Sequence, residues 1–319
     1  MHSHHSHSGD YVEHASGTLE QMVATAKEKG FVQYCLTEHM PRLQDKYLYP
    51  EEIDKGMTID SLSERFEKYL KHAKEIQERE NAGNTIKIII GLEVEGIDEA
   101  HIKMVERYRP HVNMCVGSVH FVKGIPIDFD EQNWRKAREA CGGSTRELYK
   151  EYYELQYKVL KMLKPEVVGH FDLIRLFRVN DLDETTGKML SDVNIQNEWP
   201  DVWQLIERNV KFAISYGALF ELNSAALRKG WDSPYPKSDI CLLIKSLGGK
   251  FCLSDDSHKY EQVGLNYHKA WEYLKSTIKS DFVYHLDLDA QRKIVVQESD
   301  VNVLSKSPFW DQYKILQLN

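Results

Sequence analysis

Apolar runs alternate with amphipathic segments along most of the 319-residue chain. Short runs rich in β-branched residues predict strands, and the segments between them place their apolar residues at helical spacing. The predicted strands are FVQYCLTEH (31–39), KIIIGLEVEG (87–96), VNMCVGSVHFV (112–122), EVVGHFD (166–172), ALFELNS (218–224) and KFCLSDDSH (250–258). Strands and helices alternate about seven times, which favours right-handed β-α units around a parallel sheet or barrel.

The helix boundaries carry their own signals. Thr18 and Gln21 have the spacing of a capping box, as do Ser144 and Glu147. Helices are predicted from Thr18 to Gly30 and over 60–80, 98–108, 144–164, 201–217, 238–247 and 262–278, with FVYHLDL and KIVVQES as two later strands. A loop-rich insert at 179–200 has no assigned role, and either a lid or an exposed loop fits it. Because no repeat or linker separates two halves, one domain is predicted over residues 1–319.

Charge and cysteine content narrow the class of protein. The formal charge is 41 − 49 = −8, and an acidic balance argues against a general nucleic-acid binder. No apolar run approaches about 18 residues, so no membrane span is expected, and the N-terminus lacks the regions of a signal peptide. The five cysteines lack zinc-ribbon or redox spacing, which predicts buried free thiols of a cytoplasmic protein. The oligomeric state stays open.

Histidines crowd the start of the chain, MHSHHSHSGDYVEH, at positions 2, 4, 5, 7 and 14. One interpretation is a purification tag or a tract with adventitious metal affinity, although serines interrupt this run. An H-x-H pair on a strand points both rings to one face, and both His2/His4 and His5/His7 fit that geometry. The pair His5/His7 is the better candidate for a metal pair, because polar and flexible residues follow it directly.

Further histidines and carboxylates fall at or near the C-terminal ends of the predicted strands, the end that forms the active-site face of a parallel barrel. The nine candidate ligands are His5, His7, His14, His39, Glu93, His120, His170, Asp256 and His258. A single catalytic zinc takes three protein ligands, so nine predict two or three ions with a bridging carboxylate. Multinuclear sites of this kind are typical of phosphoester hydrolysis.

These motifs resemble those of the PHP (polymerase and histidinol phosphatase) superfamily, and most closely its fungal-type monofunctional histidinol-phosphatases. The matching segments are H-S-H-S (5–8), T-E-H (37–39), G-L-E (91–93), G-S-V-H (117–120), G-H-F-D (169–172), S-A-A-L-R-K (224–229) and S-D-D-S-H (254–258). The resemblance implies a distorted (β/α)7 TIM-like barrel with three divalent ions at its mouth, zinc first, with iron or manganese as alternatives.

The resemblance also implies how the ligands divide among the ions. His5 and His7, with Glu93 and Asp256, would hold the first, and Glu93 would bridge to a second. His120 and His170 would complete the second, and the third would be held by His14, His39 and His258. The sequence departs from the family in its very short first strand, which leaves His2/His4 open against His5/His7, and in T-E-H where T-D-H is usual. Either Asp255 or Asp256 could coordinate, with Asp256 favoured.

The implied substrate is L-histidinol phosphate, hydrolysed in histidine biosynthesis by in-line attack of a metal-activated hydroxide on phosphorus. Phosphate calls for cations beyond the metals, and arginine suits its bidentate recognition. The candidate phosphate-binding residues are Arg228, Arg175, Arg42 and Lys229. Glu95 and Asp128 are candidates to bind the imidazole and ammonium, and the predicted catalytic residues are Glu93, Asp256 and His258.

Several other functions share part of this motif pattern. An amidohydrolase-type barrel also begins with H-x-H, but the positions of G-L-E and the final D-S-H argue against it. A PHP enzyme acting on another small phosphate ester, or a PHP nuclease, would share the site. The chain lacks the basic, aromatic-interleaved stretch of a single-strand binder, however. A metal-storage or inactive regulatory barrel would bind metal without turnover, yet every motif position keeps a suitable ligand.

Overall fold

The computed structural model describes residues 1–177, 182–183 and 185–314, so part of the predicted loop-rich insert lies outside the described residues. The described strands are β1 (His2–Ser3), β2 (Gln33–Leu36), β3 (Lys87–Val94), β4 (Met114–Gly117), β5 (Phe121–Val122), β6 (Ile125–Pro126), β7 (Val167–Val168), β8 (Leu219–Asn223), β9 (Lys250–Ser254), β10 (Phe282–Leu288) and β11 (Ile294–Asp300). The described α-helices are α1 (Leu19–Glu28), α2 (Pro50–Asp54), α3 (Ile59–Gly83), α4 (Glu99–Tyr108), α5 (Glu131–Ala140), α6 (Thr145–Leu163), α7 (Ile195–Glu198), α8 (Pro200–Ser215), α9 (Ala225–Arg228), α10 (Ser238–Ser246), α11 (Tyr267–Tyr273), α12 (Val301–Leu304) and α13 (Asp311–Lys314).

Seven parallel strands of the described chain form one sheet in the order β1-β2-β3-β4-β7-β8-β9. Just beyond β1 and β9, the His7 N–H donates to Ser257 O at 2.8 Å and the Asp256 N–H donates to His5 O at 3.0 Å. These bonds bring the two edges together, so the sheet is a nearly closed barrel. The predicted distorted (β/α)7 barrel is therefore confirmed, including its very short first strand.

The lower half of the barrel interior is apolar. Inward-facing side chains from β2, β3, β4, β7, β8 and β9 form one buried cluster: Cys35, Ile89, Met114, Val116, Val167, Leu219 and Cys252. Leu286 of β10 packs into the same cluster, so the antiparallel β10–β11 hairpin covers the base of the barrel. Because side chains alternate along a strand, the next inward positions toward the C-terminal ends reach the opposite mouth.

Helices cover the outer face of the barrel, as the sequence pattern predicts. The predicted helices at 60–80 and 144–164 are observed as α3 and α6, and Thr18 with Gln21 forms the predicted capping box of α1. Tyr69 of α3 connects this layer to the sheet, because its hydroxyl oxygen lies 2.7 Å from both Leu36 O and Gly91 O and shares its one proton between them. In the part of the chain that the structure describes, no helix is both long and apolar enough to span a membrane.

Two predicted strands are shorter than expected. The predicted strand at 112–122 divides into β4 and β5, and the one at 166–172 keeps only β7. The backbone leaves the ladder after Gly117, where the Gly169 N–H still donates to Gly117 O at 3.1 Å. A Cβ atom on Gly169 would lie 2.3 Å from Ser118 Oγ, so glycine lets these two segments approach inside the mouth. The early ends free Ser118–His120 and His170 to turn inward.

Candidate metal centre

Glu93, at the upper end of β3, lies at the centre of a histidine cluster at the C-terminal mouth and is 1% exposed. Its Oε2 atom faces three rings at His5 Nε2 (3.1 Å), His7 Nε2 (3.3 Å) and His39 Nδ1 (3.1 Å). Its Oε1 atom faces two others at His170 Nε2 (2.9 Å) and His120 Nε2 (3.3 Å). The two oxygens of this carboxylate thus serve two different sets of rings, as a bridging ligand would.

Asp256 brings a second carboxylate to the cluster from the end of β9. Its Oδ1 atom lies 3.4 Å from His7 Nε2 and 3.7 Å from His5 Nε2. The backbone of Asp256 is left-handed, with φ of 46°, a conformation that non-glycine residues adopt mainly where the surroundings enforce it. Asp255 turns the other way, because Ser3 Oγ and the Gly264 N–H donate to its carboxylate at 3.1 and 2.7 Å. The structure therefore places Asp256 rather than Asp255 at the mouth.

The two H-x-H pairs at the start of the chain also differ in whether they reach the mouth of the barrel. His4 lies lower in the barrel, with Nδ1 2.8 Å from Leu253 O and Nε2 accepting from the Leu286 N–H at 3.2 Å. The ring of His2 stacks on His285 of β10 with centroids 3.7 Å apart. Both residues therefore belong to the base of the barrel, and the mouth receives His5 and His7.

Three sets of ligand atoms among the described residues are close enough to hold a metal ion. Within each set the atoms lie within 4.8 Å of one another: His5, His7 and Glu93; His39, Glu93 and His120; and His7, His39 and His258. His14 lies beside the third set, with its ring centroid 4.9 Å from that of His258. Its Nδ1 atom is 3.3 Å from Glu51 Oε1 and its side chain is 36% exposed, so it stands at the rim.

The chemistry of these groups fits divalent metal ions. Several ring nitrogens of the cluster are buried without a hydrogen-bond partner in the described part of the chain: His5 Nε2, His7 Nδ1 and Nε2, His39 Nδ1, His120 Nδ1 and His170 Nδ1. Buried polar atoms are nearly always satisfied by a hydrogen bond or an ion. Imidazole nitrogen and carboxylate oxygen together suit zinc, iron and manganese.

A cavity of about 340 Å³ opens above the cluster. Its wall includes seven of the nine ligand candidates, all except His5 and His7, and also Tyr49, Glu51, Asp128, Phe129, Arg228, Lys229, Lys259 and Gln262. The cationic side chains of the wall follow β8 and β9 in the chain. The acidic and aromatic ones follow β2 and β4, which lie in another part of the strand order. The cavity therefore has a cationic side and an acidic, aromatic side.

Three predicted substrate contacts do not lie on the wall of this cavity, and the prediction is corrected for them. Arg42 is buried and its guanidinium pairs with Glu52 and, at 3.0 Å, with Glu95. Glu95 is itself fully buried beneath His39 and His120. Arg175 lines a separate cavity, where Asp239 holds its guanidinium at 2.9 Å. The Arg42–Glu95 and Arg175–Asp239 pairings join residues far apart in sequence, which the local pattern around each residue does not reveal.

Sequence reasoning also missed carboxylates that lie behind the ligand candidates. Glu38 accepts from Ser8 Oγ at 2.6 Å and lies 3.8 Å from His7 Nδ1. Glu221, in β8, contacts His5. An available signal was the position of Glu221 within an apolar strand, at the inward parity shared with Asn223, since a carboxylate there must face the barrel interior.

Metal uptake by this cluster is expected to release about two protons per chain or more at pH 7. Burial alone lowers a histidine pKa, but Asp256 and Glu93 outweigh it and raise the pKa of His7 to about 9. Burial also lowers the pKa of His120, but Glu93 outweighs it and raises this pKa to about 10. Both rings are thus protonated at pH 7 without metal and must lose a proton to coordinate.

Metal affinity should therefore fall as the pH falls. Calorimetric titration of the metal-free protein with Zn²⁺, in buffers of different ionisation enthalpy, measures the protons released. Uptake without proton release would show that these histidines are not the ligands.

Comparison with known proteins agrees with this geometry. The PHP domain family matches residues 3–225. A histidinol-phosphatase of Saccharomyces cerevisiae is 37% identical over 97% of this chain and 99% of its own length. A Schizosaccharomyces pombe protein named "probable histidinol-phosphatase" is 39% identical over 95% of this chain and 96% of its own length. The chain therefore belongs to the PHP family and, within it, to the histidinol-phosphatases.

A solved structure shares the fold. The histidinol phosphate phosphatase of Lactococcus lactis, determined with zinc, L-histidinol and phosphate, superposes with a TM-score of 0.61 at 20% identity. The match covers 86% of this chain and 93% of that one. At this identity the likeness supports the barrel architecture.

Proposed function

We propose that this chain hydrolyses L-histidinol phosphate to L-histidinol and phosphate, with three divalent ions, zinc first among them, held at the barrel mouth. The observation that carries the proposal is the placement of Glu93, whose two carboxylate oxygens face separate sets of histidines directly beneath a polarised cavity. A phosphomonoester with a cationic leaving group matches a cavity that has anion-binding and cation-binding sides.

The ligands would divide as the family resemblance implies. His5 and His7, with Glu93 and Asp256, would hold the first ion, and His120 and His170 would join Glu93 at the second. His14, His39 and His258 would hold the third. Ions bound there would lower the pKa of water toward neutrality and neutralise the phosphate oxygens.

Arg228 supports binding of the phosphoryl group on the cationic side. Its two terminal nitrogens donate to Asp255 O at 3.4 Å and Asp256 O at 3.2 Å, which hold the guanidinium beside the ligand Asp256. Among the described residues Arg228 donates to these two carbonyl oxygens and forms no ion pair with a carboxylate, so its charge stays available to the substrate. Lys229 and Lys259 add positive charge on the same side of the wall.

The opposite side supports binding of the imidazole and amine. Asp128 lines the cavity, and its Oδ1 atom is buried without a hydrogen-bond partner among the described residues. Tyr49 and Phe129 lie beside it with nearly parallel rings, 6.1 Å between centroids and 16° between planes. A carboxylate next to aromatic faces suits a cationic heteroaromatic group, through charge pairing and cation–π attraction.

We further propose that residues 1–319 act as one barrel domain in the cytoplasm. Support for one domain comes from the main apolar core, which extends from Met1 to Tyr313. The five cysteines are free, and buried free thiols suit a reducing compartment.

Phosphate release tests the proposed substrate. The metal-loaded protein is expected to hydrolyse L-histidinol phosphate with a kcat/KM at least ~100-fold above that for glycerol phosphate, because binding energy from the imidazole side contributes to transition-state stabilisation. Asp128→Asn should raise KM for L-histidinol phosphate about 10-fold, the cost of one charged contact, and leave the glycerol phosphate rate within ~2-fold.

Asp130→Asn is the matched control, because Asp130 caps α5 outside the cavity and asparagine caps equally well. Faster turnover of glycerol phosphate than of L-histidinol phosphate would keep the metal centre and refute the substrate.

A further inference from the structure

Glu221 is a buried carboxylate at the centre of the barrel, and neither the predicted ligand set nor the cavity wall includes it. It lies in β8 and is 1% exposed. Its oxygens lie near four polar groups on four different strands or strand ends: His5 Nδ1 (3.1 Å), Ser254 Oγ (2.7 Å), Asn223 Nδ2 (2.9 Å) and the backbone N–H of His170 (2.5 Å). One carboxylate thus touches segments that carry ligands for both sides of the metal centre.

The contact of Glu221 with His5 orients the imidazole ring for metal coordination. A carboxylate beside Nδ1 keeps the proton on that nitrogen and leaves the Nε2 lone pair free. Nε2 of His5 then points at Glu93 Oε2, 3.1 Å away, and at Asp256 Oδ1, 3.7 Å away. Glu221 therefore fixes both the tautomer and the direction of the ring.

The contact with His170 acts on the other side of the centre. The His170 N–H donates to Glu221 Oε1, while the His170 ring places Nε2 2.9 Å from Glu93 Oε1. Asn223, which donates to Glu221, also lies 3.3 Å from Asp256 Oδ2. Glu221 thus connects His5, which faces Oε2 of Glu93, to His170, which faces Oε1. Asn223 connects Glu221 to Asp256.

We propose that Glu221 is a positioning residue that holds the His5 side and the His170 side of the metal centre in register, so that ions on the two sides are retained together. This inference rests on the metal centre proposed above. It predicts that a change at Glu221 weakens metal retention on both sides, although Glu221 lies outside the proposed ligand set and does not line the cavity.

Metal loss from the loaded protein tests the proposal without using turnover. Glu221→Gln keeps the volume but replaces an accepting oxygen with a donor that faces Ser254 or the His170 N–H. It is expected to speed metal loss to a chelator, followed by elemental analysis, about 10- to 100-fold. It should also change the visible absorption bands of the Co²⁺-substituted protein, which report ligand geometry. Glu221→Asp should restore part of the retention.

Ser254→Ala is the matched control, because it removes a neutral donor to the same carboxylate and leaves both ligand contacts. Its metal loss should stay within ~3-fold of the unmodified chain. If Glu221→Gln lowers only the thermal midpoint, and metal loss and Co²⁺ spectrum match the control, the positioning role is overturned. If the unmodified chain holds no metal, the proposed centre fails as well, whereas metal retention without turnover of L-histidinol phosphate would refute only the substrate.

Discussion

Replacement of Glu93 by alanine is expected to lower kcat by about 10³-fold or more, equivalent to ~4 kcal/mol of transition-state stabilisation. The change removes the one carboxylate whose two oxygens face the two histidine sets, so only Asp256 remains at the Nε2 atoms of His5 and His7. Burial alone would raise the pKa of Glu93, but His5, His120 and His39 hold it well below its usual range. The lost group is therefore a full negative charge at neutral pH, surrounded by rings.

Metal content and turnover measured on the same sample check this result. Glu93→Gln keeps the shape of the side chain and should fold, yet lose most of its metal, which separates loss of coordination from loss of structure. Glu154→Gln, at an exposed ion pair with Arg208 on the outer helices, is the control and should match the unmodified chain. Full metal content with unchanged turnover in Glu93→Ala would refute the bridging role.

Replacement of Arg228 by methionine is expected to lower kcat/KM for L-histidinol phosphate by about 10²- to 10³-fold, or ~3–4 kcal/mol. Methionine keeps much of the aliphatic length and removes the planar fork that matches phosphate oxygens. Because the phosphate product would use the same contact, inhibition by inorganic phosphate should weaken as well. Arg228→Lys keeps the charge without the fork and should recover only part of the loss.

Steady-state rates with phosphate inhibition constants check the role of Arg228, and Arg208→Met on the outer surface of α8 serves as the control. Retained affinity for phosphate in Arg228→Met would assign the phosphoryl contact to Lys229 or Lys259 instead. Elemental analysis of the same variant is needed, because Arg228 donates to the carbonyl of the ligand candidate Asp256.

The barrel and the ligand cluster could be predicted from sequence because both depend on local spacing. Strand-forming runs such as 87–96 end in ionisable residues, and parallel strands bring those ends to one mouth. The roles of Arg42 and Arg175 could not be predicted in this way. Besides the nearer Glu52 and Asp172, each pairs with a carboxylate that is distant along the chain, Arg42 with Glu95 at 53 residues and Arg175 with Asp239 at 64 residues. An arginine near a motif therefore offers the same local signal whether it meets substrate or another side chain.

The choice between neighbouring candidates likewise depended on tertiary packing. His4 and His5 are adjacent and chemically identical, yet His4 contacts β10 at the base of the barrel and His5 faces Glu93 at the mouth. Asp255 and Asp256 separate in the same way, through a left-handed residue that no local propensity predicts. The parity of Glu221 in its apolar strand indicates an inward side chain, but its contacts with His5 and His170 join strands that are distant along the chain and could not be predicted.

The closure of the barrel between its first and last strands has a consequence for biosynthesis. His5 and Asp256 meet in one cluster although 251 residues separate them, so the coordination sphere is incomplete until nearly the whole chain has been made. At typical translation rates, about 10 to 50 s pass between the synthesis of these two residues. Through that interval the N-terminal histidines lack the later carboxylate of the proposed site. Stable metal uptake would then mark a finished chain, and a truncated product would be left without its ions.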